Sequence, residues 1–324
     1  MKAKQSLLQK AKAFAKRSPA LMAALISILL YAFTVFMVPT SLNIGALSTI
    51  FMLTILLAIA SAGQTLVLIG GGLDFTVGAV MSSAALLTTT IMHSQDGRVL
   101  SALGAVLLLG AAVGLLNGIC TVKIGLPALV VTMAISNVLT QVTFAFLGGN
   151  QGRFAGPAFI QSIVNRFFGV VPAISLYALV FFPIVFYILY RSRFGKQLYL
   201  VGNNPTAARL VGINVNRVKI LSYVFSGMFS GFAGMLGAGL MQTARNQMFD
   251  GYAYNSLIAV IVGGTSFAGG IGSFTGSISG SLLMVVLNNM LTALQLSQPV
   301  RNITLGIVMV LLLIMYNRRK SVRQ

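Results

Sequence analysis

Charge, and negative charge above all, is what this sequence has least of. Only 8% of its 324 residues are charged, and only three of those, Asp74, Asp96 and Asp250, are acidic. With 57% hydrophobic residues, the chain has too little polar surface to coat a water-soluble globule of this size. It therefore requires lipid. The three carboxylates and the single histidine, His93, all fall at or beyond the ends of apolar runs, which leaves a transmembrane proton relay almost nothing to work with. The single cysteine, Cys120, has no partner for an intrachain disulfide and no companions for a thiolate metal site, so no metal is expected in this chain. No G-x-x-x-x-G-K-[ST] segment occurs, and the only Gly-Lys pair, Gly195-Lys196, lacks the rest of that motif. The chain cannot bind ATP by that route.

What is abundant is apolar sequence punctuated by basic residues. The formal charge is +19, but Lys and Arg separate apolar stretches instead of gathering with aromatics on one face, so nucleic acid is not expected as a partner. A bilayer crossing takes about 20 apolar residues as a helix. About ten such runs emerge: Ala20 to Val38, Ile44 to Ile69, Phe75 to Met92, Leu100 to Val122, Leu126 to Leu147, Pro172 to Tyr190, Val218 to Met241, Ser256 to Phe267, Ile271 to Leu294 and Ile303 to Tyr316. The predicted fold is an all-α polytopic transmembrane bundle. Residues 1–19 form a basic cytoplasmic tail, 20–316 the transmembrane domain with a cytoplasmic loop at 191–219, and 317–324 a second basic tail. With both termini inside, seventeen of the 22 basic residues lie on the inner side; only Arg98, Arg153, Arg166, Arg245 and Arg301 fall outside, as the positive-inside rule expects.

Two glycine clusters interrupt this pattern, Gly70-Gly71-Gly72-Leu73-Asp74 and Gly263-Gly264-Thr265 with Gly269-Gly270-Ile271-Gly272, both near the predicted inner face. Paired breaks of this kind suggest an internal repeat, here a parallel one, with helices that stop inside the protein. Asp74 is placed to cap the helix that follows it. Gly227 with Gly231, and Gly276 with Gly280, have the spacing that lets helix backbones pack closely. Neutral amides within the runs, Gln64, Asn117, Asn137, Gln141 and Asn288, are candidate pathway residues, because amides donate and accept without charge and suit hydroxyl-rich solutes. Interhelical hydrogen bonding explains any single one of them equally well.

The loop 191–219 is too long for a simple turn and carries its own short helix. Asn204 serves as N-cap, Pro205 fits the first helical position, Ala207, Ala208, Arg209 and Leu210 propagate, and Gly212 ends the helix in a left-handed conformation. A helix this short is unstable alone in water, so it needs something to lie against, a groove on a soluble partner or else the lipid surface.

Three stretches resemble the signatures of ribose-type (carbohydrate uptake) ABC transporter permeases: Gly71-Gly72-Leu73-Asp74-Phe75-Thr76-Val77-Gly78, the loop from Gly202 to Lys219, and Gly263 to Ser273. Their order and spacing match from about Ile44 to Tyr316. The resemblance implies a non-catalytic permease subunit of the bacterial inner membrane, forming the pathway for a small neutral solute. A sugar is the first candidate; nucleosides or amino acids are the alternative, and an ion-coupled transporter is the distant one. The implied partners are a cytoplasmic ABC ATPase that binds ATP and Mg2+, a second permease in a homo- or heterodimer, an extracytoplasmic solute-binding protein, and membrane lipid. The helix at Asn204 would then be the coupling helix seated on the ATPase, with Arg209 and its neighbours supplying the contact. The chain departs from the family where an acidic Glu-Leu-Asp usually precedes the second glycine break: it has Ala253-Tyr254-Asn255.

Overall fold

A computed structural model describes residues 19–146 and 154–317, the side chains of 308–317 excepted. The basic tails and Arg153 lie outside the described residues. In chain order the helices are α1 (Pro19–Met37), α2 (Ile44–Ile69), α3 (Val77–Met92), α4 (Val99–Val122), α5 (Ala128–Phe146), α6 (Pro157–Val164), α7 (Ile174–Phe186), α8 (Arg193–Asn203), α9 (Pro205–Leu210), α10 (Val215–Met241), α11 (Tyr252–Val262), α12 (Phe274–Ala293) and α13 (Gln298–Asn317). Each of the ten apolar runs thus becomes a helix. α6, a two-stranded ladder (β1, Arg166–Phe167; β2, Val171–Pro172) and α8 are additions within the connections.

Among the described residues seven helices are long and apolar enough to cross a membrane. α3 and α11 are shorter, at 16 and 11 residues. At 1.5 Å per residue they rise about 24 and 16 Å, less than the ~30 Å of a hydrocarbon core. The irregular segments joined to them must therefore lie at membrane depth, which is tolerable only where protein surrounds them. The short helix follows the first glycine break but precedes the second.

α2 is the central post, with every residue from 54 to 69 buried. A ladder of hydroxyls ties it to α12: Thr65 meets Ser277 at 2.6 Å, and Ser281 donates to Ser61 at 3.2 Å. Such pairs replace the hydrophobic drive that is absent between helices in lipid. α4 and α10 cross on glycines. A Cβ placed on Gly110 would collide with the Gly227 carbonyl, and one on Gly227 with the Gly110 carbonyl, while Gly114 and Gly231 abut Tyr223 and Val106 backbone in the same way. The α11–α12 contact repeats this solution, with Gly276 against Gly263 and Gly280 against Ala259. Gly227→Val must separate α4 from α10, and overpacking of this kind costs about 1–3 kcal/mol or more. The expected result is a lower melting temperature of the detergent-solubilised chain; Gly104→Val, which meets nothing within 4 Å, leaves it unchanged.

Candidate functional site

The loop 191–219 folds as two helices instead of one. Pro183 lies inside α7, which passes through a π-helical turn (Tyr187–Arg191) before Ser192 accepts from Gly195 N at 3.0 Å and starts α8. The signal for α8 was available in the sequence: a capping serine followed by Phe194, Leu198 and Val201 at helical spacing. α9 is capped as its residues dictate. Asn204 Oδ1 accepts from Thr206 N and Ala207 N, both at 3.0 Å, and Pro205 occupies the first position. Gly212, at φ +79°, donates to Arg209 O while Ile213 donates to Ala208 O, closing the helix with a Schellman pair. Ala208 is buried, Ala207 is exposed, and Leu210 and Val211 project with 85% and 72% of their surface exposed. Arg209 also borders a cavity of about 250 Å³ with Lys219, Asn216, Tyr223 and the first glycine break.

The end of α8 joins the two breaks. Gly270 N donates to Ile69 O at 2.9 Å, so the last carbonyl of α2 holds the second break directly. Gly202 packs on that bond, and a Cβ there would collide with the Ile69 carbonyl and stand 2.5 Å from Gly270 N. Gly269 and Gly270 take φ +84° and +74°, and Gly270 lies against the Asn203 backbone. Tyr199 donates to Gly272 O at 2.7 Å; burial pushes its hydroxyl well above the usual tyrosine range, so it remains a donor. In the same region Gly71 and Gly264 turn the chain at φ +77° and +95°, Gly72 abuts Tyr223, and Gly263 packs on Gly276. Two breaks and one loop, separate in sequence, are thus a single junction.

From that junction the first break climbs α10. Leu73 O accepts from the Tyr223 hydroxyl at 3.2 Å, and Asp74 Oδ2 accepts from Ser226 Oγ at 2.7 Å, close to one turn further along. Asp74 does not cap α3 as expected. The N-cap position is Thr76, and Asp74 Oδ1 instead accepts from the Thr76 N–H (2.9 Å) and hydroxyl in a local turn. Thr76 Oγ1 in turn accepts from Asn117 Nδ2 at 2.9 Å. This network joins α3, α4 and α10 through a carboxylate only 1% exposed.

Above it, the two shortened helices meet. The connection after α10 returns into the bundle: the Phe249 ring packs on Gly237, Phe249 N donates to Ser82 Oγ at 2.9 Å, and the Asp250 backbone lies against Gly78. Fourteen residues of α3 separate Gly78 from Met92, about 21 Å along the helix. Asp250, two residues before α11 and with an exposed side chain, thus has its backbone seated against α3, because glycines at 78 and 237 leave room for the returning chain. With Phe75, Ala79, Met133, Ser136, Asn137, Ala253 and Tyr254 it lines a cavity of about 160 Å³. Phe75 and Tyr254 form one wall, edge to face at 5.5 Å.

The amide candidates scatter. Asn137 lines this cavity, and Gln141 is exposed one turn along α5. Gln64 is fully buried in α2, Asn117 belongs to the Thr76 network, and Asn288 donates to Met284 O in its own helix at 2.9 Å. Sequence reasoning placed Asp250 at or beyond a span end, where it stands, but missed that the segment carrying it packs on α3. The signal was the eighth run, twelve residues that cannot cross a bilayer, so that the preceding connection had to dip.

Comparison with known proteins gives consistent matches. The profile of the family described as branched-chain amino acid transport system / permease component matches residues 46–313. The chain is similar to a ribose import permease of Escherichia coli strain K12, 30% identical over 289 residues, which cover 87% of this chain and 88% of that protein. It is also similar to a galactose/methyl galactoside import permease of Haemophilus influenzae, at 30% over 84% and 86%, and to a ribose import permease of Bacillus subtilis, at 31% over 80% of each. No solved structure matches.

Proposed function

The chain belongs to the branched-chain amino acid transport system permease component family, and on that premise we propose that it carries a small neutral sugar in an ATP-binding cassette importer. It is a multi-pass protein of the bacterial inner membrane and a non-catalytic translocation subunit. Cargo is a sugar in this reading because the relatives named for ribose and galactose cover more than four fifths of the chain at about 30% identity. ATP and Mg2+ are bound by a separate cytoplasmic ATPase, a solute-binding protein delivers the cargo from outside, and a second permease completes the pathway. Both termini face the cytoplasm. With Asp74 buried among α3, α4 and α10, carboxylate placement by itself does not decide against ion coupling; family membership is what favours the ATP-driven reading.

The observation that carries the mechanism is the junction beneath the cavity. α9 exposes an apolar tip suited to a groove on the ATPase, and the residue before it, Asn203, lies against Gly270. Closure of the ATPases displaces α9 as a rigid body, and Gly202 and Asn203 transmit that displacement to Ile69 and Gly270. The two breaks then move α3 at its first turn and α11 at its last, the cavity walls Phe75, Ala79, Ala253 and Tyr254 move with these helices, and access alternates. The test is purification of the tagged chain from its native membrane in mild detergent, with mass spectrometry of what stays bound. A stoichiometric ATPase bearing a Walker A motif is expected. Purification alone, with flux in liposomes that follows an ion gradient and ignores ATP, overturns the reading.

A further inference from the structure

The cavity between α3 and α11 has one carboxylate on its wall, that of Asp250. Ionisable residues along a membrane pathway mark sites of function, and the residues that line this cavity include no cation to pair with Asp250. Ser82 on α3 accepts from Phe249 N and so fixes the backbone that carries Asp250. An ionised carboxylate has about four acceptor positions, so most of them remain for something else. Beside it stand Asn137, able to donate and accept, the hydroxyl of Ser136, and the aromatic pair Phe75 and Tyr254. A few convergent polar groups against an apolar wall are the usual composition of a small-molecule site.

We infer that Asp250 is the specificity-determining residue of the pathway: its carboxylate accepts hydrogen bonds from the hydroxyls of a monosaccharide-sized ring whose less polar face rests on Phe75 and Tyr254. The assignment rests on the transport reading above and adds the group that reads the cargo. Hydroxyls donate, and the carboxylate only accepts. Cargo bearing its own carboxylate, an amino acid or a sugar acid, meets a like charge here with no Lys, Arg or His among the lining residues to offset it. The site thereby selects neutral polyols from among the cargoes the family name covers. One of the two positions where the chain lacks an expected acidic residue, Ala253, lines the same cavity, and Asp250 supplies negative charge three residues before it.

The test uses the full complex in proteoliposomes, with its ATPase and binding protein, and a panel of radiolabelled D-ribose, D-galactose and their deoxy analogues. For whichever sugar the wild type carries, Asp250→Asn is expected to lower uptake about tenfold or more, the size of a lost charge-assisted hydrogen bond. The loss shrinks for the analogue lacking the hydroxyl that Asp250 reads. ATP hydrolysis stimulated by the binding protein stays at the wild-type level, because docking and coupling are untouched. Asn137→Ala, which removes a neighbouring contact without altering charge, shows a smaller loss of the same pattern and guards against misfolding of the first variant. Equal uptake by Asp250→Asn across the panel overturns the assignment, as does a parallel fall in uptake and stimulated hydrolysis, which would mean a structural role. A wild type that hydrolyses ATP but moves none of the sugars overturns the sugar reading and this assignment with it.

Discussion

Leu210→Asp abolishes ATP-driven uptake while the chain still inserts and accumulates normally. Leu210 is 85% exposed at the tip of a helix of six residues, and Val211 beside it is 72% exposed. Neither contributes to the packing of the bundle, so their substitution leaves folding alone. In the complex, burying a leucine side chain is worth about 1.5–3 kcal/mol, and a carboxylate in its place adds an unpaired charge at the interface. Docking of the ATPase should weaken by at least about 10- to 100-fold. Co-purified ATPase and sugar uptake measure it, and the Arg209→Ala, Leu210→Ala double variant should follow the same direction. Normal uptake by either variant would sink the coupling role of α9.

Gly202→Val has an effect of similar size through a different step. The site has no room for a side chain: a Cβ would collide with the Ile69 carbonyl and press on Gly270 N, the two ends of the hydrogen bond that joins the breaks. The substitution must open that bond or displace α8, and overpacking costs about 1–3 kcal/mol or more. α9 and its exposed tip lie just beyond, so the ATPase still docks. The expected result is ATP hydrolysis that persists while sugar moved per ATP falls about tenfold or more, with a lowered melting temperature. Gly97→Val meets nothing within 4 Å and serves as the neutral comparison. Wild-type stoichiometry in Gly202→Val would show that force reaches the cavity by another route.

Much of this was legible in advance where the determining interactions are local. The caps at Asn204, Pro205 and Gly212 depend on residues within one turn of each other, and the helix between them formed within the limits expected. α8 is equally local, set by the Ser192 cap and the helical spacing of Phe194, Leu198 and Val201. Asp74 was read as a cap because its neighbours in sequence allow it; its actual partners include Ser226, which lies 152 residues away.

The sequence by itself determined that this chain spans a membrane, which runs become its apolar helices, and where a short capped helix forms between α8 and α10. Hydropathy, charge bias and capping act over distances of a few residues, so they can be read along the chain. Tertiary structure alone decided that the two glycine breaks touch, that Gly202 packs on their shared hydrogen bond, and that Asp250 lines a cavity with Asn137 and Tyr254. Those outcomes depend on backbones separated by more than a hundred residues meeting at glycines, and no local pattern encodes which glycine faces which carbonyl.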